Sequence, residues 1–190
     1  MDERIPLPPT PTLETARLIL RPLEARDVDA IQRIFPQWEL VKHLNAQVPW
    51  PYPDDGAATN MAACLAQRAK GEKFFWAITL KGSDDLRGRI DLWPGDETNR
   101  DSRGFWLDPE LWGRGLMTEA AEAVTAFAFE VLEWPELWLT NAQSNVGSHR
   151  VKAKQGADLV GVTPNVYVGG PDQRETWILR REAWLARRGK

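Results

Sequence analysis

Two glycines one residue apart, Gly113 and Gly115, follow the apolar run Gly104-Phe105-Trp106-Leu107-Asp108 and precede Leu116-Met117-Thr118-Glu119-Ala120. The order reads as a strand, a glycine loop and the first turn of a helix. Glycine reaches positive φ without steric cost and lets a ligand approach the backbone, and the unpaired N–H groups of a helix start carry partial positive charge. The chemistry this suits is the holding of an anion, above all a phosphate or pyrophosphate. No Gly-Lys-Ser or Gly-Lys-Thr follows, which speaks against a nucleoside-triphosphate loop. The dinucleotide pattern G-x-G-x-x-G meets Thr118 at its third glycine, and the chain before residue 88 lacks the repeated strand–helix units that pattern needs. An ordinary surface turn containing two glycines stands open as the alternative.

Other chemistry-bearing residues are sparse. The single cysteine, Cys64, excludes an internal disulfide and sits in an alanine-rich helical stretch, where it reads as a buried structural thiol. The two histidines, His43 and His149, lie far apart and do not form a metal-binding spacing; no metal is expected. Ten tryptophans read as core and rim packing, with an aromatic-lined pocket as the alternative.

The elements that must position the loop are those of one mixed domain. With 190 residues, 43% of them hydrophobic, the chain can build a single substantial core. A net charge of −3 supplies no overall basic field, so nucleic acid is not an expected partner, and no apolar run or leader-like start points to a membrane. A cytoplasmic location is the expectation. Residues 1–12, with four prolines, are expected to form a flexible, extended arm outside the fold. Strands are predicted at 17–21, 74–80, 88–93, 103–108, 137–140, 159–162 and 176–179. Helices are predicted from Asp27, as the capping residue, to Phe35, then from about 54 to 70, 118 to 132 and 147 to 155, with a final turn near 180–188. The proline- and tryptophan-rich stretch 36–53 reads as an irregular substrate-side loop or a packed connection, and 165–175 as a second loop over the acceptor pocket.

Four segments in order resemble the GNAT superfamily of acyl-CoA-dependent N-acyltransferases, in its ribosomal-protein N-acetyltransferase (RimJ/RimL-like) branch. They are Leu13-Glu14-Thr15-Ala16-Arg17-Leu18-Ile19-Leu20-Arg21-Pro22, the loop Trp112 to Ala120, the run Asn145 to Ala157 with its Asn, Ser, Val and Lys-x-Gly spacing, and Glu182-Ala183-Trp184. The resemblance implies an α+β fold: a central, twisted, mostly antiparallel sheet of about seven strands, with a splayed parallel pair and flanking helices. It makes 13–190 one N-acyltransferase domain. It implies acetyl-CoA as acyl donor, its pyrophosphate on the amides of Gly113 to Thr118 with Arg114 at the rim, and its pantetheine between strands 103–108 and 137–140. The coenzyme contacts implied are Trp106, Leu107, Trp112, Gly113, Arg114, Gly115, Leu116, Met117, Thr118, Asn145, Ser148 and Lys154. Ser148 would donate a proton to the departing thiolate and Asn145 would position pantetheine; helix capping is the other reading of this pair. The acceptor implied is a primary amine, on a small molecule or a protein N-terminus, attacked directly in a ternary complex. Dimers are common in such families, so a homodimer is compatible with the resemblance. An acyl-CoA sensor without turnover is the competing function.

The sequence departs from the family at the general base. Where relatives often place a Glu before the glycine loop, this chain has Ser102-Arg103-Gly104, and Asp91, Glu97 and Asp101 are the nearby carboxylates. No base is assigned from sequence. An α-amine, with a pKa near 8, needs a base less than a lysine side chain near 10.4, so the absence leans toward an N-terminus or a weakly basic small amine. Met117 narrows the space above the phosphates, and Arg174-Glu175-Thr176-Trp177 marks a changed acceptor side.

Overall fold

The computed structural model describes residues 5–95 and 100–189. Strands β1 (Leu13–Glu14), β2 (Leu18–Pro22), β3 (Phe74–Leu80), β4 (Gly88–Leu92) and β5 (Arg103–Leu107) pair antiparallel in that order. A second antiparallel sheet has the order β6 (Glu136–Ala142), β8 (Gly170–Arg180), β7 (Asp158–Tyr167). Among the described residues there are thus eight strands, one more than the seven placed by sequence, because the Leu13–Glu14 segment pairs with Ile19 and Leu20 as a short edge of its own.

The uninterrupted apolar run of β3 follows from its place in the middle of the first sheet, where both faces are covered. Phe74, Trp76 and Ile78 turn into a core shared with α4 (Leu116–Ala126), the second sheet and Trp184 of α6 (Arg181–Arg188). Phe75 and Ala77 face the opposite way, into a core with α1 (Val28–Ile34), α2 (Trp38–Val41) and α3 (Gly56–Ala69). Helix α3 presents Ala57, Met61 and Cys64 to that core at helical spacing, which places the thiol in packing as read from sequence. Truncating Trp76 to Ala would cost about 3–5 kcal/mol.

Several elements differ from the sequence reading. Asp27 precedes α1 without capping it; its carboxylate instead forms a buried pair with Arg21, 2.7 Å away, and accepts from the Glu24 amide. The 118–132 helix starts earlier and changes to a π-helical turn over Phe127–Val131, which keeps Phe127, Ala128 and Phe129 all buried. The 165–175 segment is not a loop: β7 and β8 run through it as a hairpin that turns between Tyr167 and Gly170. The arm is extended from residue 5 but packed, since the Leu7 amide donates to the Gly71 carbonyl, the Trp76 indole donates to the Pro11 carbonyl and Thr10 is buried. Its first four residues, like Glu97, lie outside the described residues. Among the described residues, no helix is long and apolar enough to cross a membrane.

What matters most for function is the junction of the two sheets. Among the described residues, β5 and β6 meet at one parallel bridge, Asp101 with Trp138, supported by the Ser102 amide donating to the Trp138 carbonyl at 2.8 Å. Beyond it no further β5–β6 bridge is formed among the described residues, so the far end of β5 has no strand neighbour on that edge.

Candidate active site

The glycine loop is built by a chain of local contacts. Asp108 caps the short 3-10 turn Pro109–Leu111 by accepting from the Glu110 amide, and Arg87 clamps both acidic side chains at 2.9 and 2.8 Å. The Trp112 indole donates to the Leu107 carbonyl at 2.7 Å. Gly113 and Gly115 then take φ of 76° and 75°, the left-handed region in which a side chain is strained. Arg17 fixes the far side: its guanidinium donates to the Arg114 carbonyl at 3.0 Å and to the Glu119 carboxylate at 2.7 Å. Burial opposes ionisation of Glu119, but hydrogen bonds from Thr15 and from Arg17 outweigh it and hold its pKa below the usual range. With one carbonyl tied back, the first-turn amides of α4 are left without helical acceptors. Among the described residues, a Cβ placed on Gly113 would meet nothing within 4 Å. An open backbone cradle at a helix start fits a pyrophosphate.

This loop lines a groove of about 460 Å³ that is also walled by β5, by the start of α4, by residues 39–44 and by residues 145–154. Trp106, Leu107, Trp112, Gly113, Gly115, Leu116, Met117, Thr118, Asn145, Ser148 and Lys154 all line it. Arg114 is not among the described lining residues, because its carbonyl is turned to Arg17 and its place in the loop lies outside the groove wall. Arg150, which also lines the groove, adds a second cation beside Lys154.

A further wall of the groove is α5 (Val146–Gln155). Asn145 caps it, its Oδ1 accepting from the Ser148 amide at 3.0 Å, so the capping reading of this residue is realised while it also lines the groove. Ser148 is buried, and its hydroxyl oxygen accepts a 2.7 Å hydrogen bond from Nζ of Lys152, one turn further along. Lys152 is 2% exposed. Burial, and next the neighbouring Arg103, lower its pKa to about 7 against the pull of Asp101 and Glu175. Arg103 stands in β5 where the family's glutamate was sought, and donates to Thr125 Oγ1 and Gln155 Oε1. Sequence reading missed Lys152. Its one trace is a lysine four residues after a serine in a short helix, a spacing that surface helices show equally often.

The remaining carboxylates and the histidines fall into place differently from one another. Asp91 is buried against Arg89 at 2.8 Å, and burial raises its pKa more than Arg89 lowers it. Asp101 accepts from Thr140 and is likewise raised by burial. Neither is among the groove-lining residues. His43 is one of them. Its Nδ1 lies 3.1 Å from Ser144 Oγ, which in turn donates to Asp172 Oδ2 at 2.5 Å. The Ser144 hydrogen bond keeps the Asp172 pKa low, so that carboxylate can only accept. Ser144 therefore gives its proton to Asp172 and accepts from His43 Nδ1, which leaves Nε2 of His43 as the basic nitrogen. Burial and then Lys42 lower the His43 pKa, favouring the neutral ring. The 36–53 segment holds this residue in place through backbone bonds from Val168 to Leu44 and from Gly169 to Lys42. Among the described residues, no cluster of His, Cys, Asp and Glu is arranged to hold a metal ion.

Comparison with known proteins agrees with this geometry. Residues 17–158 match the acetyltransferase (GNAT) domain family. The chain is 26% identical over 153 residues to the uncharacterized N-acetyltransferase YoaA of Bacillus subtilis (strain 168), covering 80% of this chain and 85% of that protein. It is 27% identical over 196 residues to an FsC-acetyl coenzyme A-N(2)-transacetylase of Aspergillus fumigatus, covering 92% and 78% of the two chains. The fold is shared with a ribosomal-protein-serine acetyltransferase structure from Vibrio cholerae (TM-score 0.73, 21% identity, 92% and 99% covered). It is shared too with RimL, a ribosomal L7/L12 alpha-N-protein acetyltransferase solved with coenzyme A (TM-score 0.75, 16% identity, 90% and 98% covered). A family match over most of the chain, on a loop and groove of this shape, makes this protein an acetyl-CoA-dependent N-acetyltransferase of the GNAT family.

Proposed function

We propose that this N-acetyltransferase acylates a primary amine, either a protein or peptide N-terminus or a weakly basic small molecule, by direct attack in a ternary complex. The observation that carries the reading is one continuous groove with a backbone anion cradle at Gly113 to Thr118, and with a buried serine and His43 on its walls. The amides of Gly113 to Thr118 would hold the pyrophosphate, Trp106 and Leu107 would flank the pantetheine arm along β5, and Lys154 and Arg150 would meet the remaining phosphate charge. Burying both substrates in one slot supplies the orientation on which acyl transfer between bound partners depends.

In this reading the amine reaches the thioester carbonyl from the His43 side. His43 Nε2 takes the proton that the amine loses, and Ser148 gives one to the sulfur that leaves. Asn145 fixes the helix start, and with it Ser148, beside the carbonyl. The β5 backbone on the edge without a strand neighbour supplies N–H groups for the developing oxyanion. The ribosomal-protein acetyltransferases among the fold relatives support an N-terminal α-amine as acceptor, as does the small residual demand for a base at such an amine. The test is a thiol-release assay over peptides with free N-termini and over small amines. Intersecting initial-velocity lines support the ternary complex, whereas parallel lines with an isolable acetyl-protein would refute direct attack.

A further inference from the structure

We infer that Lys152 is the proton source behind Ser148, turning the serine hydroxyl toward the thioester end of the groove and replacing the proton that the serine gives away. The inference rests on the reading of Ser148 as proton donor, and goes beyond it by assigning a buried residue that lines no groove.

The hydrogen-bond inventory at Ser148 carries the argument. In its charged form Lys152 only donates, so in the 2.7 Å contact Ser148 Oγ is then the acceptor. The serine's own proton therefore points elsewhere. In a helix a serine hydroxyl commonly bonds back to the carbonyl four residues earlier. Among the described residues no carbonyl accepts from Ser148 Oγ, so the proton is left for the groove that Ser148 lines.

The surroundings of Lys152 match a proton reservoir better than a structural ion pair. Its side chain is 2% exposed, and no carboxylate lies within salt-bridge distance of Nζ among the described residues. Phe105 presents its ring 5.5 Å from Nζ. The charged groups facing it are Asp101 and Arg103 from β5 and its approach, and Glu175 from β8. Glu175 is itself bonded to His149 of α5 at 2.9 Å and to Asn141 of β6 at 2.8 Å, and Glu122 of α4 lies behind Gln155 and acts on Arg103. Two carboxylates at a distance and one guanidinium close by leave the ammonium neither firmly held nor expelled. With its pKa lowered to about 7, Lys152 gives and retakes a proton near neutrality. A bare serine would end as an alkoxide on protonating a thiolate whose thiol has an ordinary pKa near 8.5. A serine backed by Lys152 ends neutral.

The step balances as follows. The amine lone pair forms the N–C bond and the C–S pair departs on sulfur. Sulfur takes the Ser148 proton, Ser148 Oγ takes one from Lys152, and the proton shed by the amine goes to His43. Lys152 finishes neutral and His43 charged, and exchange with water restores both. Lys152 does not touch substrate; it is a positioning and supplying residue for Ser148.

The test combines an NMR titration with kinetics on the full chain. With lysine ε-carbons labelled, one resonance should titrate near pH 7 and vanish in Lys152→Arg, while the others titrate above about 10. Lys152→Met should lower kcat by roughly 10- to 100-fold, with KM for acetyl-CoA within about twofold. Lys152→Arg, which stays charged and gives up no proton, should remain well below wild-type kcat and lose the fall in rate as pH rises through about 7. Thermal melting should show Lys152→Met folded, since it removes a buried charge and keeps its volume. A kcat in Lys152→Met equal to wild type, or a Lys152 resonance titrating with the surface lysines, overturns the inference. Ser148→Ala separates the two readings. If Ser148→Ala keeps wild-type kcat, the serine assignment itself fails; if Ser148→Ala is slow and Lys152→Met is not, only the role of Lys152 fails. The double variant should be no slower than Ser148→Ala alone.

Discussion

The two ends of the groove are made by different means. The phosphate end is almost wholly backbone: two glycines at positive φ, a helix start, and an Arg17 clamp that turns one carbonyl away. The chemical end is almost wholly side chain, and its members come from three separate parts of the chain: His43, then Ser144, Ser148 and Lys152, and Asp172. A backbone site is written in one contiguous stretch and tolerates variation around it. A side-chain site depends on a few atoms that tertiary structure alone brings together, so single substitutions there should be far more damaging to rate than to binding.

The sharpest way to break that contrast is Ser148→Ala. Loss of a proton donor at the leaving group should lower kcat about 100-fold while leaving acetyl-CoA binding nearly intact, as initial-rate kinetics and calorimetry can show together. A matching loss of affinity would place Ser148 in binding rather than chemistry. His43→Gln should follow with a fall of roughly 10- to 50-fold. Because the neutral ring is the active form and its pKa is lowered, the wild-type rate should fall as pH drops below the ordinary histidine range, and this limb should disappear in the variant. A surviving limb would move the base elsewhere. Arg17→Ala touches neither substrate nor sulfur; releasing the Arg114 carbonyl should weaken acetyl-CoA binding by about three- to fivefold with little change in kcat. The smallest effect belongs to Asn145→Ala, which should cost about 1 kcal/mol of stability through the lost cap, read from denaturant unfolding.

The same contrast explains what could be read from the sequence. The glycine loop, the strand before it and α5 are local signals, so twelve residues could be named from sequence for the coenzyme, and all of them but Arg114 line one groove. The capping alternative for Asn145 was equally legible, since Asn at a helix start is a short-range preference. His43 was legible only as a lone histidine, because Ser144 lies 101 residues further along the chain and Asp172 further still. Lys152 looked like any helix lysine until β5 and β8 closed over it. The 165–175 segment misled through Gly169, Gly170 and Pro171, which mark a hairpin turn as readily as a loop, while the pairing that extends β7 and β8 is non-local. Asp27 misled for another reason: its place before a helix suggested a cap, but its side chain pairs with Arg21, six residues back on β2.

The central claim is that the groove holds acetyl-CoA with its pyrophosphate on the glycine loop, and calorimetric titration of wild type and Gly113→Asp tests it most directly. Asp is among the residues that tolerate positive φ, and nothing described lies within 4 Å of the new Cβ, so the variant adds negative charge with little steric disturbance. Wild type should bind acetyl-CoA with a Kd of about 1–100 μM, and Gly113→Asp should weaken this at least tenfold while melting within a few degrees of wild type. Equal affinity in the two folded proteins would contradict the placement of the pyrophosphate on this loop.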